Sequence, residues 1–137
     1  MPAFLLCADF GPPLFQDDQQ LPPAFTFAAF DFLHLNNQPW IVNATGSEQG
    51  AQFSPQGVEI ALPIPVRRVR LRIGTFAAAV DIEARDGAGN TVTTTTVPHL
   101  NQYVNRTLRG PDIESVVLTR GGNEGILVRI CVVVQTP

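Results

Sequence analysis

Residues able to do chemistry are sparse in this chain, and none forms a catalytic set. There are two histidines, His34 in a Phe-rich stretch and His99 directly after Pro98. The first reads as a partly buried structural residue, the second as surface. No HExxH pair, nucleophile elbow or phosphate loop is present. Asp81 and Glu83 share a strand face beside arginines, where ion pairing explains them better than acid–base work. Cys131 lies inside an apolar closing strand, a poor setting for a reactive thiolate. The stronger pattern is one of contact. Tyr103 lies among Asn101, Gln102, Asn105 and Arg106, and Trp40 follows a polar turn at residues 36–39. An aromatic side chain offers an apolar face with a polar tip. It stacks on a ring, while amides and guanidinium groups bond hydroxyls at the ring's rim. Trp40, Asn101, Tyr103 and Arg106 are therefore the candidate ligand contacts. Each aromatic has a plainer reading too, Trp40 as a core anchor and Tyr103 as an ordinary rim residue.

The elements that must position these residues read as β-strands. Val69, Leu71 and Ile73 alternate with Arg68, Arg70 and Arg72, and Val80, Ile82 and Ala84 alternate with Asp81, Glu83 and Arg85. Period-two alternation bounded by turn residues marks strands with one buried face. An antiparallel pairing of these two would set Arg72 opposite Asp81 and Arg70 opposite Glu83. Ile73 would then meet Val80, and Leu71 would meet Ile82. Such pairs contribute roughly 0.2–1 kcal/mol each. The connection is long for a hairpin, so placement in different sheets is the competing reading.

Further strands are expected at residues 4–10, 40–43, 58–62, 91–97, 101–108, 113–118 and 126–134. Residues 11–23 form a loop, because four prolines do not fit a central strand or helix. Residues 24–35 are apolar on both parities, which predicts full cover or a bulge near Ala28 and Ala29. Residues 44–50 read as a polar loop, 51–53 as an edge strand, Pro63 and Pro65 as a strand terminus, and 109–112 as a turn. The total is nine or ten strands with no helical periodicity. That predicts an all-β chain, an antiparallel β-sandwich (jelly roll) filling residues 1–137 as one domain.

Composition narrows the function classes. Charged residues make up only 15% of the 137 residues, against roughly 25% in an average domain. The polar surface therefore falls to Gln, Asn, Thr and Ser, which suits neutral polymers or packing against copies of the same chain. The formal net charge is −3, so no general attraction to nucleic acid is expected. All nine basic residues are arginine. No apolar run approaches the roughly 20 residues of a membrane helix. Residues 1–7 are too short for a signal peptide and lack a basic start. No export by that route, prior removal of a signal, or a chain trimmed from a longer one are the readings left open. Asn43-Ala44-Thr45 and Asn105-Arg106-Thr107 fit the glycosylation pattern, which has meaning only in a secretory eukaryotic setting. Cys7 and Cys131 stand at opposite ends of the chain. First and last strands of a sandwich often adjoin, so a bridge fits, and two unrelated small core residues fit as well.

Three segments together carry a resemblance. They are the strand Gly57-Val58-Glu59-Ile60-Ala61-Leu62-Pro63, the strand Val80-Asp81-Ile82-Glu83-Ala84-Arg85-Asp86 with its Gly-Asn turn, and the closing pair across residues 113–132. Their order resembles the galactose-binding-like (discoidin-like) jelly-roll superfamily, which includes many carbohydrate-binding modules. The resemblance implies a sugar-binding role, and terminal cysteines joined across the first and last strands. It also implies a structural Ca2+, for which Asp86, Asn90, Asp112 and Glu124 are the candidate loop ligands. The Asp86–Asn90 stretch is equally an ordinary Gly/Asn turn. No other cofactor is indicated.

The leading expectation is a non-catalytic module that binds a glycan or polysaccharide at the cell surface or within a secreted protein. The alternative is a structural subunit that packs against copies of itself in an extracellular filament, shell or appendage. Low charge, the run Thr93 to Thr96 and the Pro-rich segment of residues 1–23, read as an exchangeable arm, motivate it.

Overall fold

A computed structural model describes residues 3–135, and all of its regular structure there is β-strand. In chain order the strands are β1 (Ala3–Asp9), β2 (Gln20–Leu21), β3 (Ala24–Phe27), β4 (Phe30–His34), β5 (Trp40–Thr45) and β6 (Glu48–Phe53). They continue with β7 (Val58–Thr75), β8 (Val80–Arg85), β9 (Thr91–Val97), β10 (Tyr103–Arg120) and β11 (Gly125–Gln135). Every pairing is antiparallel. Among the described residues, no helix is long and apolar enough to cross a membrane.

The two 18-residue strands organise the sandwich. The first part of β7 and the last part of β10 lie in a back sheet, ordered β3-β4-β7-β10-β8-β9. The last part of β7 and the first part of β10 lie in a front sheet, ordered β10-β7-β11-β6-β5-β2. There β1 continues the row beyond β6 along β11. The crossing point in β7 is Pro63-Ile64-Pro65, and the register of β10 shifts between Arg109 and Ser115. Ile64 and Pro65 are exposed, so the lost proline N–H costs no ladder bond in a sheet interior.

Alternation decides which side chains meet between the sheets. Val69, Leu71 and Ile73 from the front and Val80, Ile82 and Ala84 from the back are all buried. One end of the core is aromatic. The ring of Phe10 lies 5.2 Å from both Phe15 and Phe32 and 5.7 Å from Phe27. Cys7 and Cys131 face each other on β1 and β11 and are bonded, with S–S 2.05 Å.

Several local expectations are corrected. The strands of residues 69–73 and 80–85 do not pair. They lie in different sheets, where β7 meets β10 and β11, and β8 meets β9 and β10. Residues 24–35 are not one bulged strand but a hairpin. Ala28 (φ 53°) and Ala29 (φ 70°) both adopt left-handed backbone, as a two-residue type I′ turn requires. Pro63 and Pro65 bend a strand and do not end it, and residues 109–112 are an irregularity inside β10. Residues 44–50 are mostly hairpin strand, and residues 51–53 sit between β5 and β11, not at an edge. The count is eleven: the Phe-rich stretch contributes two strands and Gln20–Leu21 adds a short one, while the strands expected at 58–62 and 69–73 merge into β7 and those at 101–108 and 113–118 into β10. The expected arm is partly placed: β1 lies in its own chain's sheet. Residues 1–2 fall outside the described residues.

Candidate functional site

The solvent side of the front sheet carries the densest array of fixed polar side chains. In β7, burial of Val69, Leu71 and Ile73 turns Arg70 and Arg72 outward. The register sets Asn105 of β10 opposite Arg72, and Tyr103 opposite Gly74. Gly74 matters because a Cβ there would sit 2.8 Å from the Tyr103 ring. Its absence lets the ring lie across the strand. From the other side the β5–β6 hairpin leans over the same face. Gly50 permits this, since a Cβ there would lie 2.5 Å from the Leu127 carbonyl oxygen.

Arg72 is the centre of this array. Its Nε donates to Glu48 Oε1 at 2.7 Å and Oε2 at 2.9 Å, and Nη2 also reaches Oε2. Its Nη1 donates to Asn105 Oδ1 at 3.0 Å. The guanidinium carbon stands 6.0 Å from the Tyr103 ring centroid. The Tyr103 hydroxyl donates to the Thr45 carbonyl at 2.7 Å, which pins the hairpin tip. Nearby, Asn43 Nδ2 donates to Gln52 Oε1 at 2.6 Å. Bonding from Arg72 holds the Glu48 carboxyl below its ordinary value, so it stays ionised at neutral pH. Burial pushes the Tyr103 phenol up, and it remains a neutral donor.

The residues expected from sequence to bind ligand do not converge. Trp40 is fully buried. Its ring packs 5.8 Å from Phe25 and Phe32, and Nε1 donates to the Pro23 carbonyl at 3.2 Å. It is a core anchor and cannot stack on a ligand. Its shared parity with buried Val42 was the signal that could have placed it. Arg106 shares parity with Val104 and Leu108, and sits opposite buried Leu71. Its side chain thus leaves the opposite face of β10 from Tyr103. Asn101 lies in the loop before β10, at φ 54°, with Oδ1 2.9 Å from His99 Nε2. Of the four, Tyr103 alone belongs to the front array. Arg72, Asn105 and Glu48 were missed, because their meeting depends on register and on the tilt of a hairpin.

The candidate calcium ligands are divided between two ends of the molecule. Asp86 closes its own turn: Oδ1 accepts from the backbone N–H of Ala88 (3.0 Å) and Asn90 (2.9 Å). Asp112 borders the same open cleft, but Glu124 lies in the β10–β11 turn, beyond the far end of β8. Among the described residues no group of three or more His, Cys, Asp or Glu side chains is placed to hold a metal ion.

His34 is buried and joins the sheets. Its Nε2 accepts from the Ser54 N–H at 2.9 Å, with the Ser54 hydroxyl 2.8 Å away. Burial lowers its pKa from the ordinary 6.5, against a smaller opposing effect from the backbone of Gln38 and Pro39. Both His34 and Ser54 are buried, so this contact is closed off from solvent and reads as structural.

No protein-family model matches the chain, and no curated protein does. Solved structures do. They include variants of CBM29-2, a family 29 carbohydrate-binding module. One matches at a TM-score of 0.52 and 13% identity, over 86% of this chain and 91% of the module. A second, complexed with cellulohexaose, matches at 0.53 and 8% identity, over 94% and 91%. A third matches at 0.51 and 11% identity, over 96% and 90%. The chain therefore has the jelly-roll fold of carbohydrate-binding modules.

Proposed function

We propose that this chain is a non-catalytic module that binds carbohydrate through the front sheet, within a secreted or cell-surface protein. The observation that carries the reading is the array around Arg72. Its donors and acceptors are already oriented before any ligand arrives, and Tyr103, with the Phe76 ring 5.1 Å away, supplies aromatic surface beside them. Preorganised groups lose little freedom on binding, which suits a shallow polar face. Arg70 is exposed, and exposed Asn105, whose Oδ1 accepts from Arg72, keeps its Nδ2 to bond hydroxyls. Likeness in fold to modules of this kind supports the reading, and fold alone does not fix function.

The test is titration of the protein with cello-, manno- and xylo-hexaose, beside a broad glycan array. Saturable binding to at least one glycan is expected. Asn105→Ala should weaken it about tenfold, the loss of a ligand interaction of about 1.4 kcal/mol. Asn105 is exposed and loses only a surface hydrogen bond from Arg72, so the fold should be kept. No binding to any glycan on the array would sink the proposal.

A further inference from the structure

Register places like charges directly opposite each other twice on the front sheet. Arg72 of β7 faces Arg129 of β11, and Arg68 of β7 faces Arg109 of β10. Like charges at such positions destabilise a sheet. The first pair is compensated. Glu48 is bonded to Arg72, and the charge of Arg129 also acts on it. Among the described residues the second pair has no such partner. The ion pairs among the described residues use Arg72, Arg85 and Arg120. Arg67, next along β7, is exposed and likewise outside them.

These three arginines border one cleft. It has a volume of about 730 Å³ and lies beside the corner where β7 and β10 change sheets. Its walls include apolar Ile64, Pro65 and Val134, and among the described residues no acidic side chain lines it. Volume in this range is typical of ligand sites. Concentrated positive charge without a counter-ion among the described residues, in a chain of net charge −3, marks a place where an anion would relieve repulsion. A guanidinium fork fits a planar carboxylate with two parallel hydrogen bonds. Along β7, Arg68 and Arg72 are four residues apart, roughly 13 Å, so one extended polymer can lie over both.

We propose that this corner cleft binds the carboxylate of an acidic polysaccharide, a uronic-acid chain lying along the front sheet. This rests on the carbohydrate-binding reading and names its substrate class.

The test compares polygalacturonate with the same polymer fully methyl-esterified, which keeps the sugar and removes the charge. The free acid should bind at least about tenfold tighter at low salt, with the preference shrinking as salt screens it. The double variant Arg68→Gln/Arg109→Gln should lose that preference. Its melting temperature should be no lower than that of the parent, since a like-charge contact is removed. Arg85→Gln/Arg120→Gln, on the back sheet, should keep the preference. Equal binding of acid and ester overturns the proposal, as does a preference that survives in the double variant. Tighter binding of dextran sulfate than of polygalacturonate overturns the carboxylate assignment. If a neutral hexaose binds through Asn105 while the acid shows no advantage, this inference fails and the carbohydrate reading stands. If no glycan of either kind binds, the carbohydrate reading itself fails.

Discussion

The two outer faces of the sandwich carry opposite charge and handle it differently. The back face displays Asp31, Glu59, Asp81 and Glu83. Three of these are quenched by neighbours on the same sheet. Thr26 donates to Asp31 at 2.6 Å, Thr96 donates to Asp81 at 2.7 Å, and Arg85 pairs with Glu83 at 2.9 Å. The front face displays Arg68, Arg70, Arg72, Arg109 and Arg129, and among these Arg72 has the ion-pair partner. Bracing differs in the same direction. The front has the disulfide, the Arg72–Glu48 fork and the Tyr103 latch on the hairpin. A face with settled charges has little left to offer a ligand. A face that is rigid yet electrostatically unfinished is where binding is expected.

The largest effect tests the bracing. Cys7→Ser/Cys131→Ser removes a cross-link between residues 124 apart. In the chain-entropy model that costs about 4–5 kcal/mol. Urea denaturation should show the midpoint falling accordingly. Hydrogen exchange should show β1 and the end of β11 losing protection first, with β8 and β9 keeping theirs. Earlier loss in β8 and β9 would mean that the front is not the braced layer.

The next effect reaches both faces together, because His34 of the back sheet is bonded to Ser54, just beyond β6 of the front. Its pKa lies below the ordinary 6.5 in the folded state. The unfolded chain then binds more protons than the folded one between those two values. Stability is fully present above about pH 6.5 and is lost as pH falls toward the folded pKa. His34→Ala should remove this slope. It should also cost about 2–3 kcal/mol, since it leaves a cavity and an unpaired Ser54 N–H. A pH slope unchanged in the variant would assign the titration elsewhere.

These contrasts depend on features of unequal visibility in the sequence. Alternation at residues 69–73 and 80–84 made the buried faces and the β-sandwich legible, because burial acts residue by residue. Pairing was not legible. Arg70 and Arg72 match Glu83 and Asp81 in charge, but those acids are satisfied within the back sheet and Arg72 finds Glu48 across a hairpin. The corner was hidden for a related reason: a proline that cannot continue a ladder can still turn a strand where no ladder partner is needed. Trp40 was ambiguous because a preceding polar turn says nothing about which way the ring points. The front array needed three pieces of long-range information, namely the β7–β10 register, the small residue at Gly74 and the lean of the β5–β6 hairpin.

The smallest effect separates the two faces most directly, by making the same substitution on each. Arg72 and Glu48 are about three-quarters covered, with side-chain exposures of 22% and 24%, and the contact is forked. Arg120 and Asp81 are 58% and 39% exposed, at 3.3 Å through one nitrogen. Water screens the second pair and competes for both of its ends. Arg120→Gln should therefore change stability by no more than a few tenths of a kcal/mol. Arg72→Gln should cost about 1 kcal/mol, because it strands a partly covered carboxylate and frees the hairpin tip. The difference should shrink as pH falls below 4.5, since the folded pKa of Glu48 lies under that ordinary value and the stability it confers is lost as pH falls through it. Equal losses from the two variants in urea denaturation at pH 7 would erase the contrast between a braced face and a loosely paired one.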